Sequence, residues 1–208
     1  MLFDRSVRDY GAAYRAAASA LPPPSRPLGI PVEHTSPLAA PLAVVAAGSA
    51  GAKVRSAARL VGEAAIRSGL WVTQRDDYPV TVKTGHSISE LVLSPAPVAP
   101  MGGTVPDVAV VSSDDGLRKV RGLLECMEPD GLVVTHPEHS GLTTPAELQV
   151  IDPAAAPGRI PRSALTLVLL VVAMRRRRAI PVEALRAAAA GPFAAENLAA
   201  VEAGVALA

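Results

Sequence analysis

A single cysteine, Cys126, occurs in 208 residues. That excludes an internal disulfide, a thiolate zinc site and an iron–sulfur cluster ligated by this chain unaided. Aromatic residues are nearly as scarce, with one Trp, three Tyr and two Phe making up 3% of the chain. Half the residues are hydrophobic, so the core has to be built from Ala, Val and Leu. The aromatic platforms that stack single-stranded nucleic acid are missing. Neither sign of charge is in excess. Twenty Lys and Arg against nineteen Asp and Glu leave +1, which gives no general field to steer nucleic acid or an acidic surface. Long apolar runs are lacking too. The most membrane-like stretch, Ser163–Met174 (SALTLVLLVVAM), is too short to cross a bilayer, which takes about 20 residues, and reads as a buried helix. The opening residues, MLFDRSVRDYG, have no apolar signal-peptide centre, so the cytoplasm is the expected compartment.

Proline, by contrast, is abundant and unevenly placed. Seven of the twenty prolines fall in residues 21–41, LPPPSRPLGIPVEHTSPLAAP. Proline fixes φ and disfavours helix in the residue before it, so this segment is expected to be an extended, semi-rigid linker. Ahead of it, Val7, Tyr10, Ala13 and Tyr14 recur at helical spacing within residues 4–20, the pattern of a short amphipathic helix. Residues 1–41 thus read as an arm that docks on something else or as a frayed tail, and residues 42–208 as the folded domain.

From Leu42 the pattern alternates between strand and helix. Leu42–Ala47 (LAVVAA) is an uninterrupted apolar run ending at glycine, suited to a strand covered on both faces. Residues 52–68 place Val54, Ala57, Ala58, Val61, Ala64 and Ala65 on one face and Arg55, Arg59, Glu63 and Arg67 off it, an amphipathic helix. Further strands are expected at 70–75, 88–93, 107–112, 131–135 and 147–151. A helix over Asp114–Cys126 would be capped by Ser112 or Ser113. The last third reads as helices at 162–177, 182–190 and 194–208, with Pro181, Gly191 and Pro192 at helix boundaries. Strands alternating with helices predict a three-layer, Rossmann-like α/β fold on a mostly parallel sheet with right-handed crossovers.

Four polar constellations carry whatever chemistry is legible. The turn Gly48-Ser49-Ala50-Gly51-Ala52-Lys53 follows the first strand. It can offer backbone N–H groups and the Lys53 charge to a phosphate, or simply pack helix on sheet. Its spacing matches neither G-x-G-x-x-G nor the P-loop. In YPVTVKTGHSIS, Lys83, His86 and Ser87 gather around Gly85, a lining for an anion or a solvated loop. His136-x-x-His139 is interrupted by Pro137, which argues for a loop over a metal site. Arg175–Arg178 closes an apolar helix, where cations complement the helix C-terminus. No nucleophile–base pair is readable, and Cys126, among Leu123, Leu124 and Met127, is expected in the core.

Taken in order, these segments resemble the gamma subunit or gamma domain of the 2-oxoacid:ferredoxin (acceptor) oxidoreductases, the pyruvate, ketoisovalerate and indolepyruvate group. The family's G-x-G-G-Q-G-V turn and Ala-rich helix are similar to GSAGAKV running into RSAARLVGEAA. Its Tyr and R-G-G-x-S loop resemble Tyr78 and KTGHS before ISELVLS. PDVAVVSSDDGLRKVRGLL, PDGLVVT and the tail AIPVEALRAAAAGPFAAENLAAVEAG follow in family order. The sequence departs from the family at Ala50, Ala52 and Lys53, which replace Gly, Gln and Gly, and at Lys83-Thr84, which replaces Arg-Gly.

The resemblance implies a non-cluster, gamma-type subunit of a complex that oxidatively decarboxylates a 2-oxoacid. It would shape the active-site cleft or coenzyme channel without being catalytic alone. Partner subunits of that family hold thiamine diphosphate with Mg²⁺ and the [4Fe-4S] clusters, ferredoxin or a similar acceptor takes the electrons, and coenzyme A takes the acyl group where it is used. The residues it marks for cofactor binding are Gly48, Gly51, Lys53, Lys83, Gly85, His86 and Ser87. No metal ligand, nucleic acid or membrane is implied for this chain. A stand-alone nucleotide-binding or regulatory domain of the same fold is the alternative.

Overall fold

The computed structural model describes residues 29–77, 85–98, 105–191 and 193–208. The helix expected at 4–20, and Tyr78, Lys83 and Pro192, lie outside the described residues. The chain divides into Met1–Ile30 and Pro31–Ala208. Of the first unit Gly29 and Ile30 are described, both exposed.

In the second unit six strands form one sheet: β1 Leu42–Ser49, β2 Trp71–Asp77, β3 His86–Ser94, β4 Val108–Val111, β5 Leu132–Thr135 and β6 Glu147–Val150, in the order β2-β3-β1-β4-β5-β6. The β1–β4, β4–β5 and β5–β6 ladders are parallel. β3 pairs antiparallel with both β1 and β2, so it alone runs against the others. The reversal follows from its connection. Eight residues join Asp77 to His86, whereas a parallel neighbour needs a crossover of a dozen or more residues.

Among the described residues five α-helices complete the fold: α1 Val54–Arg67, α2 Asp114–Glu125, α3 Leu165–Arg176, α4 Val182–Ala188 and α5 Ala194–Ala206. Successive side chains of a strand face opposite sides, and β1 shows this directly. Leu42, Val44 and Ala46 join a core with α1, α3, α4 and α5, while Val45 and Ala47 join a second core with Val120 and Leu124 of α2. The sheet is therefore a middle layer between four helices and one. Among the described residues the buried hydrophobic core holds no aromatic side chain, and Trp71 and Phe193 are exposed. Small side chains substitute for bulk through close approach. A Cβ on Gly204 of α5 would stand 2.6 Å from Val171 Cβ of α3.

The apolar stretch expected to be a buried helix is one. Every residue from Leu165 to Met174 is buried, and no helix among the described residues is long and apolar enough to cross a membrane. Arg177, in the arginine run after it, donates to the carbonyls of Asp107 and Asp130 at the sheet's other end. Within the Pro-rich stretch, Glu33 and His34 donate to Arg67 O, Ser36 donates to Ser68 O, and the Ser36 hydroxyl donates to Ala179 O at 2.6 Å. Two expectations are corrected. Cys126 is exposed at the end of α2 rather than in the core, because it falls on the helix face opposite buried Leu124, while Met127, 2% exposed, falls on the inner face. His136 and His139 lie not in an open loop but around a 3₁₀ turn, Pro137–His139, and both are buried.

Candidate functional site

β1, β4, β5 and β6 all end at the same edge of the sheet, and β3, running the other way, begins there. β1 leads into α1 on one face and its neighbour β4 leads into α2 on the other. Chains that part in this way leave a crevice outside the strand ends, the place where open α/β sheets bind ligands. Here it is a cleft of about 740 Å³, within the roughly 300–1,000 Å³ of small-molecule sites.

Two glycines bring the walls together. A Cβ on Gly48 would lie 2.6 Å from Ser112 Oγ and 2.8 Å from Val54 Cγ2, and one on Gly116 would lie 2.5 Å from Ala47 C and Gly48 N. With both absent, the first turn of α2 rests on the backbone of β1. Hydroxyls then tie the strand ends together. Ser49 Oγ is 2.8 Å from Ser113 Oγ and 2.9 Å from Asp115 Oδ2. Ser112 Oγ is 2.9 Å from Thr166 Oγ1, which reaches Ala52 O at 3.2 Å. Ser113 is the cap of α2, accepting from Gly116 N, one of the two serines expected there.

Of the residues read from sequence, Gly48, Gly51, Gly85, His86 and Ser87 are brought together at this edge. Gly48 pairs with Ser87, and Ser49 with His86, across the β1–β3 ladder, and Ala50 N donates to Gly85 O at 2.8 Å. Gly51 takes the left-handed φ of +91° that the turn requires. His86 Nε2 stays 3.6 Å from Asp77, beyond hydrogen-bond reach. Lys53 is a neighbour in the chain only. Its ammonium turns to Glu196 at 3.1 Å and over the Phe193 ring at 5.2 Å, beside a separate cavity under α5. Lys83 lies outside the described residues.

The far wall of the cleft escaped the sequence reading. Asp114, Asp115 and Arg118 come from the start of α2, His136 and Glu138 from the end of β5, Asp152 from the end of β6, and Arg162 from the approach to α3. The signal for the first group was present: a Ser-Ser-Asp-Asp run directly after a strand marks a second strand-to-helix turn as well as a cap. Arg118 is paired with Asp115, and Asp152 caps its own turn by accepting from Ala154 N. Burial, reinforced by the neighbouring His139, holds the pKa of His136 below its ordinary value, outweighing Glu138, a backbone hydrogen bond at Ser112, and Asp114. The imidazole is neutral at pH 7, and its Nε2 has no partner. His139 Nδ1 lies 3.5 Å from Asp114 Oδ1, with its ring 4.7 Å from that of His136. Among the described residues no three His, Cys, Asp or Glu converge as a metal site.

A phosphate-bearing coenzyme does not fit this donor set. Two of the turn's amides are spent, Ala50 N on Gly85 O and Ala52 N on Ser49 O. Among the described residues Lys53, the lysine of this turn, is committed to Glu196, and four carboxylates face two guanidiniums across the cleft. No step through coenzyme A is therefore derived for these residues.

A doubly wound α/β domain with a polar cleft at its switch point is the class these features define. Within that class, the chain belongs to the pyruvate ferredoxin/flavodoxin oxidoreductase family, whose family model matches residues 43–207. Its fold is similar to that of pyruvate oxidoreductase subunit PORC from Thermotoga maritima (17% identity, 81% of this chain and 97% of that one, TM-score 0.64). It is also similar to the gamma subunit of keto/oxoacid ferredoxin oxidoreductase from Geobacter sulfurreducens PCA (18%, 78% and 95%, TM-score 0.61). In 2-oxoglutarate:ferredoxin oxidoreductase from Magnetococcus marinus, with 2-oxoglutarate, coenzyme A and succinyl-CoA bound, 82% of this chain matches 31% of the other at 18% identity and a TM-score of 0.67. The chain thus spans about a third of that protein's length. No curated protein matches the sequence.

Proposed function

We propose that this chain is the non-cluster gamma-type subunit of a thiamine-diphosphate-dependent 2-oxoacid:acceptor oxidoreductase complex. It shapes the active-site cleft shared with its partners and is not catalytic alone. The observation that carries this reading is the family match over residues 43–207, on a fold that covers 95–97% of two free-standing subunits but a third of a larger chain. One cysteine is a quarter of the ligand set of a [4Fe-4S] cluster, so the cluster belongs to a partner. Thiamine diphosphate, held with Mg²⁺ by another partner, supplies the electron sink for decarboxylation, and the protein supplies position and dielectric.

This chain's contribution is the sheet edge where β1 ends and β3 begins. Gly48, Gly51, Gly85, His86 and Ser87 form its rim, and Lys83, two residues before Gly85 in the sequence, is the residue proposed to meet an anion, the carboxylate of the 2-oxoacid or a coenzyme phosphate. A charge-assisted contact of about 1.5–3 kcal/mol makes the expected loss in kcat/KM for Lys83→Ala roughly ten- to a hundredfold. The test is co-expression of the tagged chain with thiamine-bearing and cluster-bearing candidates. A brown complex should co-purify and reduce ferredoxin or a viologen dye at the expense of a 2-oxoacid, while the chain alone stays colourless and inactive. Turnover by the isolated chain, or failure to retain any such partner, would overturn the reading.

A further inference from the structure

The walls of the strand-end cleft carry Asp114, Asp115, Glu138 and Asp152 against Arg118 and Arg162. Since Arg118 is already paired with Asp115, three carboxylates face one remaining guanidinium. An independent feature points to a ligand of the same character. His136 lines the cleft at the end of β5, is more than nine-tenths buried, and leaves Nε2 without a hydrogen-bond partner. A buried polar atom left unpaired costs about 1–3 kcal/mol, so it marks a place where a partner is missing. On a neutral imidazole whose other nitrogen donates its N–H to the backbone at Ser112, Nε2 is an acceptor and asks for a donor. Carboxylates and a bare imidazole acceptor make the same request.

We propose that this cleft receives the guanidinium of an arginine presented by a partner subunit, with the carboxylates of Asp114, Glu138 and Asp152 and the Nε2 of His136 as acceptors. A planar group with five N–H donors and no acceptor satisfies several oxygens and a ring nitrogen at once. A divalent metal would need three converging ligands, and the described residues offer none. A phosphate would face three carboxylates. The proposal rests on the reading of the chain as a subunit, and it gives the cleft a different role from coenzyme binding. It holds the complex in register, while the substrate's carboxylate is met at the neighbouring rim.

The test uses the full chain in isolation, with an arginine-rich tripeptide as the probe and coenzyme A and inorganic pyrophosphate as competitors for the same cleft. The ¹H–¹⁵N signals of the His136 imidazole report on occupancy. The tripeptide should shift the His136 signals saturably, and Glu138→Gln together with Asp114→Asn should weaken it about tenfold or more, since each 1.4 kcal/mol is a factor of ten. Circular dichroism checks that the variants fold, and Glu138→Gln alone, at an exposed side chain, is the milder arm. Saturable binding of coenzyme A or pyrophosphate at His136 would overturn the proposal. So would tripeptide binding indifferent to both variants, or no saturable shift at all. Co-purification of the complex is read separately, so a complex that assembles around an unresponsive cleft would sink this proposal and leave the subunit reading standing.

Discussion

Gly116 and Gly122 sit six residues apart on α2, and the same substitution should act on them with opposite sign. Gly116 is buried in the first turn, where a new Cβ would stand 2.5 Å from Ala47 C, 2.5 Å from Gly48 N and 2.8 Å from Ala47 O. Carbon atoms prefer roughly 3.5–4.0 Å, so one element must retreat by about 1 Å. β1 cannot, because ladders with β3 and β4 hold it on both sides. The helix must lift, taking Ser113 and Asp115 away from Ser49. Overpacking of this kind costs about 1–3 kcal/mol, and a contact with backbone belongs at the upper end. Alanine's better helix propensity returns about 1 kcal/mol, so Gly116→Ala should lose about 1–2 kcal/mol. At about 2–4 °C per kcal/mol for a domain of this size, Tm falls by about 2–8 °C. Gly122 is exposed, and a Cβ added there would meet no atom within 4 Å. Only the propensity gain applies there, so Gly122→Ala should raise Tm by about 1–4 °C. Differential scanning calorimetry on the two variants decides the matter. A neutral or stabilising Gly116→Ala would mean that α2 does not rest on β1 and that the cleft wall is placed elsewhere.

Other expected outcomes follow from single contacts. Ser113→Ala removes the cap of α2 and should cost about 0.5–2 kcal/mol in urea unfolding, with Ser113→Thr recovering most of it. Burial depresses the pKa of His136, so the unfolded chain takes up that proton first as the pH drops. Stability is present above the ordinary imidazole value of about 6.5 and is lost as the pH falls below it toward the folded pKa. Urea midpoints should therefore decline on acidification, and His136→Gln should flatten the decline. At Lys53, held at φ 52°, alanine keeps the left-handed strain and glycine relieves it. Both lose the exposed pair with Glu196, so Lys53→Gly should be more stable than Lys53→Ala by about 1 kcal/mol in Tm comparison. Equal stability would deny the strain.

Elements were legible in the sequence wherever one physical rule dominated. An apolar run ending at Gly48 gave β1, the apolar run between Asp107 and Ser112 gave β4, and the spacing of Val54, Ala57, Ala58, Val61, Ala64 and Ala65 gave the buried face of α1, each of which is buried. The direction of β3 was not legible from alternation, because a period of two marks a strand without saying which way it runs against its neighbour. The site was half legible. Glycines and the KTGHS loop drew attention to the rim, since left-handed turns and clustered polar groups stand out along one stretch of chain. The opposite wall is assembled from three separate strand ends, and Asp114, Glu138 and Asp152 each have an ordinary local explanation: a helix start, a 3₁₀ turn and a cap. Only the parallel order β4-β5-β6 makes them neighbours. Cys126 was misplaced for a different reason. Its apolar neighbours Leu124 and Met127 are buried, but two residues after Leu124 on a helix lies the opposite face.

Two facts that are separate in the sequence have one explanation in the fold. The turn after β1 carries Ala50, Ala52 and Lys53 where the family pattern has Gly, Gln and Gly, and the amides of Ala50 and Ala52 are consumed by Gly85 and Ser49. The start of α2, more than sixty residues on, brings Asp114 and Asp115 to the same cleft. Either change alone would weaken a phosphate site. Together they take two donors from one wall and set negative charge on the other, while Gly48 and Gly116 let those walls touch. Close-packed walls with carboxylates on one of them suit a cationic group better than a phosphate, and the cleft is therefore read as a socket for a cationic partner group.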